Sequence, residues 1–271
     1  MPAIHPTAII SKEARMADDV AVGPYVVIEG AVTIAQGVRI IGQSHLTGHT
    51  TIGEGCEIHP YAAIGGPPQD HAYHGERTYC RIGARNVIRE GVTIHRGTAA
   101  ESATVIGDDG VLMAGAHVAH NCTVGNHVVL TNNVALAGHV QVGDGAILGG
   151  GVMVHQFVRI GEYVMVSGGA HLPQDAAPYM IHAGRQECVG INRIGLRRNG
   201  FSNEQISELR ALHRQLFRQA GIMRHVAQDL RAGVRTEPGR RLLEFVLADS
   251  KRGIGGRLRR KDDGASEPSA H

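Results

Sequence analysis

Four of the seventeen histidines in this 271-residue chain stand out by position: His117, His120, His139 and His155. His120, Gly138 and Gln156 follow one another at intervals of 18 residues, and His139 and His155 adjoin the last two. Imidazoles gathered beside a backbone N–H free of any side chain, and beside an amide, suit acyl transfer to a hydroxyl. An alcohol is a poor nucleophile at neutral pH, and a histidine general base contributes typically ~10²–10⁴ in rate. The tetrahedral oxyanion then needs a preorganised donor, which a glycine N–H supplies at close range. The chain has no Gly-x-Ser-x-Gly elbow for a covalent serine route and no Walker motif for ATP. Taken singly, each histidine could equally be an ordinary exposed one. Only a fold that stacks residues 18 apart would bring them together.

The rest of the sequence specifies such a fold. Aliphatic residues recur every six positions from Ile4 to Ile64, again from Ile82 to Ile94, and from Ile106 to Leu172. Two residues before each stands a small or β-branched residue, as at Val26, Ser44, Cys56 and Ala62. A period of six with few strong helix formers excludes an amphipathic helix. Each hexad reads as one short strand and a turn, so three hexads close a triangular coil of 18 residues. Coils stack through parallel backbone hydrogen bonds at roughly 4.8 Å. The prism is lined by Ile, Val and Leu, which explains a core built without Trp and with 4% aromatics. Cys56, Cys80 and Cys122 occupy the small inward column and read as packing residues. His117, His120, His139 and His155 fall outside both inward columns and should project from the prism.

Two interruptions break the repeat, at about 65–79 (GGPPQDHAYHGERTY, with Gln69 and Asp70) and 95–105 (HRGTAAESATV). Loops inserted in a solenoid tend to sit on its binding face. The β-helix is expected over 1–189. An α-helical domain is expected over 190–254, with a capping box at Ser202 and Gln205 and helices running to Gly221, over 224–231 and over 238–249. Residues 255–271 read as a disordered, Gly-rich charged tail.

Composition narrows the classes. A net charge of +2 gives no reason to expect nucleic acid. Neither a signal peptide nor a membrane span is legible, and four cysteines without CxxC spacing point to no oxidising compartment, so a cytoplasmic protein is expected.

Several runs of residues are similar to one family. VLMAGAHVAHNCTVGN from Val111, IHRGT from Ile94, ALAGHV from Ala135, VHQF from Val154 and GLRRNGF from Gly195 together resemble the UDP-N-acetylglucosamine O-acyltransferases. The resemblance spans nearly the whole chain up to about Asp249. It implies an all-β solenoid, a left-handed parallel β-helix of hexapeptide repeats, followed by a small α-helical C-terminal domain. It implies transfer of an (R)-3-hydroxyacyl chain from acyl carrier protein to the 3-hydroxyl of UDP-N-acetylglucosamine, the first step of lipid A synthesis. No cofactor or metal is implied, and the family is homotrimeric with sites between neighbouring prisms. By matching motifs His120 is the general base and Gly138 the oxyanion donor. Asp70, with Gln69 beside it, holds the sugar, and His117, His139, His155 and Gln156 line the sugar and nucleotide pocket. Asn192, Arg197 and Arg198 hold the diphosphate, a task suited to arginine, and Gly168 marks the floor of the acyl groove.

The chain departs from the family pattern at three places. Asn121 stands where an acidic residue follows the base, Ala72 where a Lys is common, and Ile194 where an acidic residue lies near the diphosphate. These bear on the choice between an N-acetyl and a 3-amino sugar. Two other enzymes compete: a related UDP-sugar N-acyltransferase, whose extra N-terminal domain has no counterpart before the first hexad at Ile4, and a γ-type carbonic anhydrase using interface histidines on zinc. A purely structural β-helix predicts flat Thr rows, whereas the outward positions here are varied.

Overall fold

A computed structural model describes residues 2–218 and 221–256. Most hexads form a two-residue strand and a turn, and the strands stack into sheets of 11, 9 and 8 strands, parallel except for a terminal hairpin. These form the first, second and third faces of a left-handed parallel β-helix with a helical C-terminal part. Register follows the repeat. The step is 18 residues from Ala3 to Ala21, lengthens from Glu57 to Val87 and from Val87 to Val111 across the insertions, and returns to 18 at Val129.

The inward columns are buried as the pattern requires: Ile28, Ile58, Leu112 and Leu130 are fully excluded from solvent, as are Val26, Val92 and Val128. Burying such side chains stabilises by roughly 1.5–3 kcal/mol each relative to exposure. Cys56, Cys80 and Cys122 lie in this core, where burial pushes the thiols of Cys80 and Cys122 up to about 12, too high for reactivity at neutral pH. Asn86 also points inward, and its amide donates to Gly107 O at 2.8 Å while accepting from Gly110 N at 2.8 Å. Among the described residues the first coil has no neighbour below it, so the inward Ile4 remains exposed.

Both insertions leave the same edge of the prism. The first runs between strands Ala63–Gly66 and Tyr79–Ile82, the second between Thr93–His95 and Ala103–Ile106, and each passes from the second sheet to the third. Some residues expected in the insertions are therefore strand residues. At the far end the hairpin Met180–Ala183 and Glu187–Ile191 adds an antiparallel pair to the first sheet, which the repeat did not predict. Helix α1 spans Arg193–Arg198, α2 Asn203–His213, α3 Met223–Leu230 and α4 Glu237–Leu247. The Ser202–Gln205 capping box is present, and a π-helical turn, Arg214–Arg218, follows α2 where continued α-helix was expected. No helix among the described residues is long and apolar enough to cross a membrane. Of the expected tail, residues 257–271 lie outside the described residues.

Candidate active site

The turns joining the second sheet to the third form two adjacent columns. One carries His120, Gly138 and Gln156; the other carries Asn121, His139 and Phe157. Asn121, His139 and Phe157 all adopt left-handed backbone, with φ of 59°, 61° and 66°. Tyr25 and Tyr61 do so in other turns, so the coil geometry imposes this conformation and the site exploits it. Successive coils are tied here by His139 N to His120 O at 3.0 Å and Phe157 N to Gly138 O at 3.1 Å. A Cβ built on Gly138 would lie 2.6 Å from both Cε1 and Nε2 of His120. The glycine is thus the space in which the imidazole sits.

The protonation pattern of that imidazole follows from its neighbours. Thr98 N–H donates to Asn121 Oδ1 at 3.0 Å, and a backbone N–H can only donate, so the atom it meets is the amide oxygen. The same oxygen lies 3.0 Å from His120 Nδ1, which must therefore carry a proton. In neutral His120 the lone pair then resides on Nε2, the atom against Gly138. Asn121 is itself anchored by its N–H to Thr104 Oγ1 at 2.8 Å.

Asp70 approaches from the first insertion, with Oδ2 3.6 Å from His120 Nε2. That exceeds a hydrogen bond and leaves the two atoms to share a bridging group. The Ala72 N–H, at 3.0 Å from Oδ1, holds the Asp70 carboxyl below its usual range, with desolvation opposing and His120 and His139 assisting. Arg96, from the second insertion, pins this loop. Its guanidinium donates to Gly65 O at 2.8 Å and to the Tyr73 hydroxyl at 2.9 Å, and lies over the Tyr73 ring.

More imidazoles surround this core. His139 meets His120 edge-on at 5.3 Å and stacks on Phe157 at 4.7 Å. His117 bonds Thr93 Oγ1 through Nδ1 at 2.7 Å and meets His95 edge-on at 5.0 Å. Burial pushes His117 and His139 below the usual histidine range, the charges of His120 and Lys251 adding at His139. His95 is pushed down to about 4 by burial and by His117, and its buried Nδ1 has no hydrogen-bond partner among the described residues.

Known proteins are similar to this chain over nearly its whole length. A family model described as UDP-N-acetylglucosamine O-acyltransferase, domain 2, matches residues 175–255. The acyl-[acyl-carrier-protein]–UDP-N-acetylglucosamine O-acyltransferase of Thermodesulfovibrio yellowstonii is 44% identical, covering 94% of this chain and 99% of that protein. The protein of the same name from Paraburkholderia xenovorans is 47% identical, covering 94% and 99%. The crystal structure of a UDP-N-acetylglucosamine acyltransferase from Bacteroides fragilis superposes with a TM-score of 0.89 at 38% identity, covering 93% of this chain and 99% of that one. The chain belongs to this acyltransferase family.

In this acyltransferase a single chain gathers only part of the expected site. His117, His120, Gly138, His139 and Asp70 converge, whereas Gln69, His155 and Gln156 are exposed at or beside the same edge. Gly168 lies on a different edge, between the first and second sheets, where a Cβ would stand 3.2 Å from Gly150 O. Asn192 lies at the third edge: it caps α1 through Gly195 N at 3.1 Å and donates to Tyr163 O at 3.0 Å. Arg197 and Arg198 are exposed in the last turn of α1. A groove of about 650 Å³ between the third sheet and α4 is lined by no histidine. Sequence reasoning passed over Arg96, Thr98 and Lys251. The first two carried a faint signal, since both lie in the IHRGT run.

Proposed function

We propose that this acyltransferase moves an (R)-3-hydroxyacyl chain from acyl carrier protein to the 3-hydroxyl of UDP-N-acetylglucosamine, opening lipid A synthesis. The observation that carries the mechanism is the Thr98–Asn121–His120 chain, which leaves a lone pair on Nε2 beside Gly138. His120 Nε2 takes the proton of the sugar hydroxyl as its oxygen attacks the thioester carbonyl. The resulting oxyanion accepts from the Gly138 N–H. Collapse breaks the C–S bond, and the departing thiolate takes the proton back from Nε2. Gln69 and Asp70 hold the sugar, and His117, His139, His155 and Gln156 line the sugar and nucleotide pocket. No step requires a metal or cofactor.

The reading includes a homotrimer. His120, Gly168 and Asn192 lie on three different edges of one prism. Asn192, Arg197 and Arg198 of one copy therefore serve the diphosphate at His120 of another, and Gly168 floors an acyl groove between copies. The outward faces support this. Val87, Val111, Val129, Ile147 and Met165 form an apolar ladder on the first sheet, whereas Thr123, Gln141 and Arg159 form a polar one on the third. An apolar ladder left in water marks an interface.

The test is acyl transfer from (R)-3-hydroxyacyl carrier proteins of several lengths to UDP-N-acetylglucosamine and its 3-amino counterpart. Activity that collapses in His120→Ala supports the base, and the preferred length reports on Gly168. Mixed trimers of His120→Ala and Arg198→Ala chains should regain activity that neither variant shows alone. No transfer at any chain length would overturn the reading.

A further inference from the structure

After α4 the chain does not leave the molecule but returns along the prism as a strap. Asp175, fully buried, anchors it. Its carboxylate accepts from Arg159 N and Nε at 2.8 and 2.7 Å, its N–H donates to Gly253 O at 2.8 Å, and its carbonyl accepts from Gly255 N at 3.0 Å. Arg252 Nε donates to Pro173 O at 3.0 Å, and the Ser250 hydroxyl accepts from the N–H groups of Arg252 and Gly253. This framework fixes the place of the residue between them, Lys251.

Lys251 is exposed, and its Nζ stands 4.2 Å from the centroid of the Phe157 ring. Phe157 stacks on His139, which abuts His120. A cation carried more than a hundred residues beyond the histidines in sequence thus sits on the same edge, at the end of their aromatic column. Among the described residues no carboxylate pairs with it; the nearby Asp249 pairs with Arg224 at 3.5 Å. The ring face orients the ammonium without neutralising it.

We propose that Lys251 is a substrate-binding residue that takes a phosphate oxygen at the mouth of the active site. The inference rests on the acyl-transfer reading, in which both substrates bring phosphate: the nucleotide sugar its diphosphate, the carrier protein the phosphodiester of its thioester arm. An ammonium acts on either as a point charge and donor. Its charge also adds to the burial that holds the His139 pKa below the usual histidine range.

The test compares wild type, Lys251→Met and Lys251→Arg in KM for UDP-N-acetylglucosamine and for the acyl carrier protein, at low and physiological ionic strength. Methionine preserves the apolar stem over Phe157 and removes only the charge. The expected result is a rise of about 3- to 10-fold in one KM, larger at low salt, with Lys251→Arg near wild type. Whichever KM responds identifies the phosphate. Both KM values unchanged in Lys251→Met, or Lys251→Arg as impaired as Lys251→Met, would overturn the inference. A wild-type enzyme without acyl transfer would instead overturn the function on which it rests.

Discussion

The Asn121 side-chain oxygen lies 3.0 Å from His120 Nδ1 and selects which ring nitrogen is free. A neutral amide therefore does the orienting for which an acidic residue is not required. Asn121→Ala should lower kcat/KM by at least about tenfold, within the ~10²–10⁴ that a general base contributes. Asn121→Asp, which keeps the acceptor, should retain more activity than the alanine variant. Steady-state rates with circular dichroism as a folding control decide it. Equal activity in wild type and Asn121→Ala would remove Asn121 from the mechanism.

Gly138→Ala tests the space rather than the hydrogen bond. The new Cβ would stand 2.6 Å from the His120 ring, so the imidazole must swing away from Asn121 Oδ1. Transfer should fall at least about a hundredfold, the lower bound for a displaced base, while the coil keeps its backbone bonds. A crystal structure of the variant with His120 unmoved would contradict this account.

The prism was legible because one physical rule, an apolar side chain inward every six residues, acts locally and repeats. The histidine edge was legible for the same reason: stacking follows from counting by 18, and His120, Gly138 and Gln156 obey it. What the count could not reach depends on loop paths. Nothing in the spacing of Arg96 reveals that it grips Gly65 and Tyr73 across 31 and 23 residues. Asn121 replaces the family's acidic residue after His120, and the sequence alone does not show that Thr98 fixes this amide with its oxygen toward the ring. Asn192 and Arg198 matched their motif, but position in a motif cannot say which edge a residue occupies.

Arg96 gives the insertions a measurable coupling. Arg96→Ala frees Gly65 O and the Tyr73 hydroxyl, so the loop carrying Asp70 should sample other positions. KM for the nucleotide sugar should rise about tenfold, equivalent to ~1.4 kcal/mol, with the carrier-protein KM little affected. Trypsin should also cleave faster after the exposed Arg77 in the same loop. Unchanged KM and unchanged cleavage would show that the loop holds itself.

His182 offers a stability prediction independent of catalysis. Its ring is fully buried where the terminal hairpin meets the helical part, and neither nitrogen has a hydrogen-bond partner among the described residues. Burial pushes its pKa down to about 4, a contact with the Ala177 backbone opposing the shift and His213 adding to it. In the unfolded chain the same imidazole titrates near ~6.5. Above that pH both states are neutral and the full stability is present. Between ~6.5 and about 4 the unfolded state binds a proton that the native state refuses, so stability falls as pH falls. The full loss is on the order of 3 kcal/mol, or roughly 6–12 °C in Tm for a chain of this size. His182→Leu removes the titrating group without removing a hydrogen bond, so it should match wild type at pH ~7.5 and exceed it near pH ~4.5. Other depressed histidines, His95 among them, leave a residual slope in both proteins. The difference between the two Tm–pH curves therefore isolates His182, and parallel curves would mean that this ring accepts its proton in the folded state.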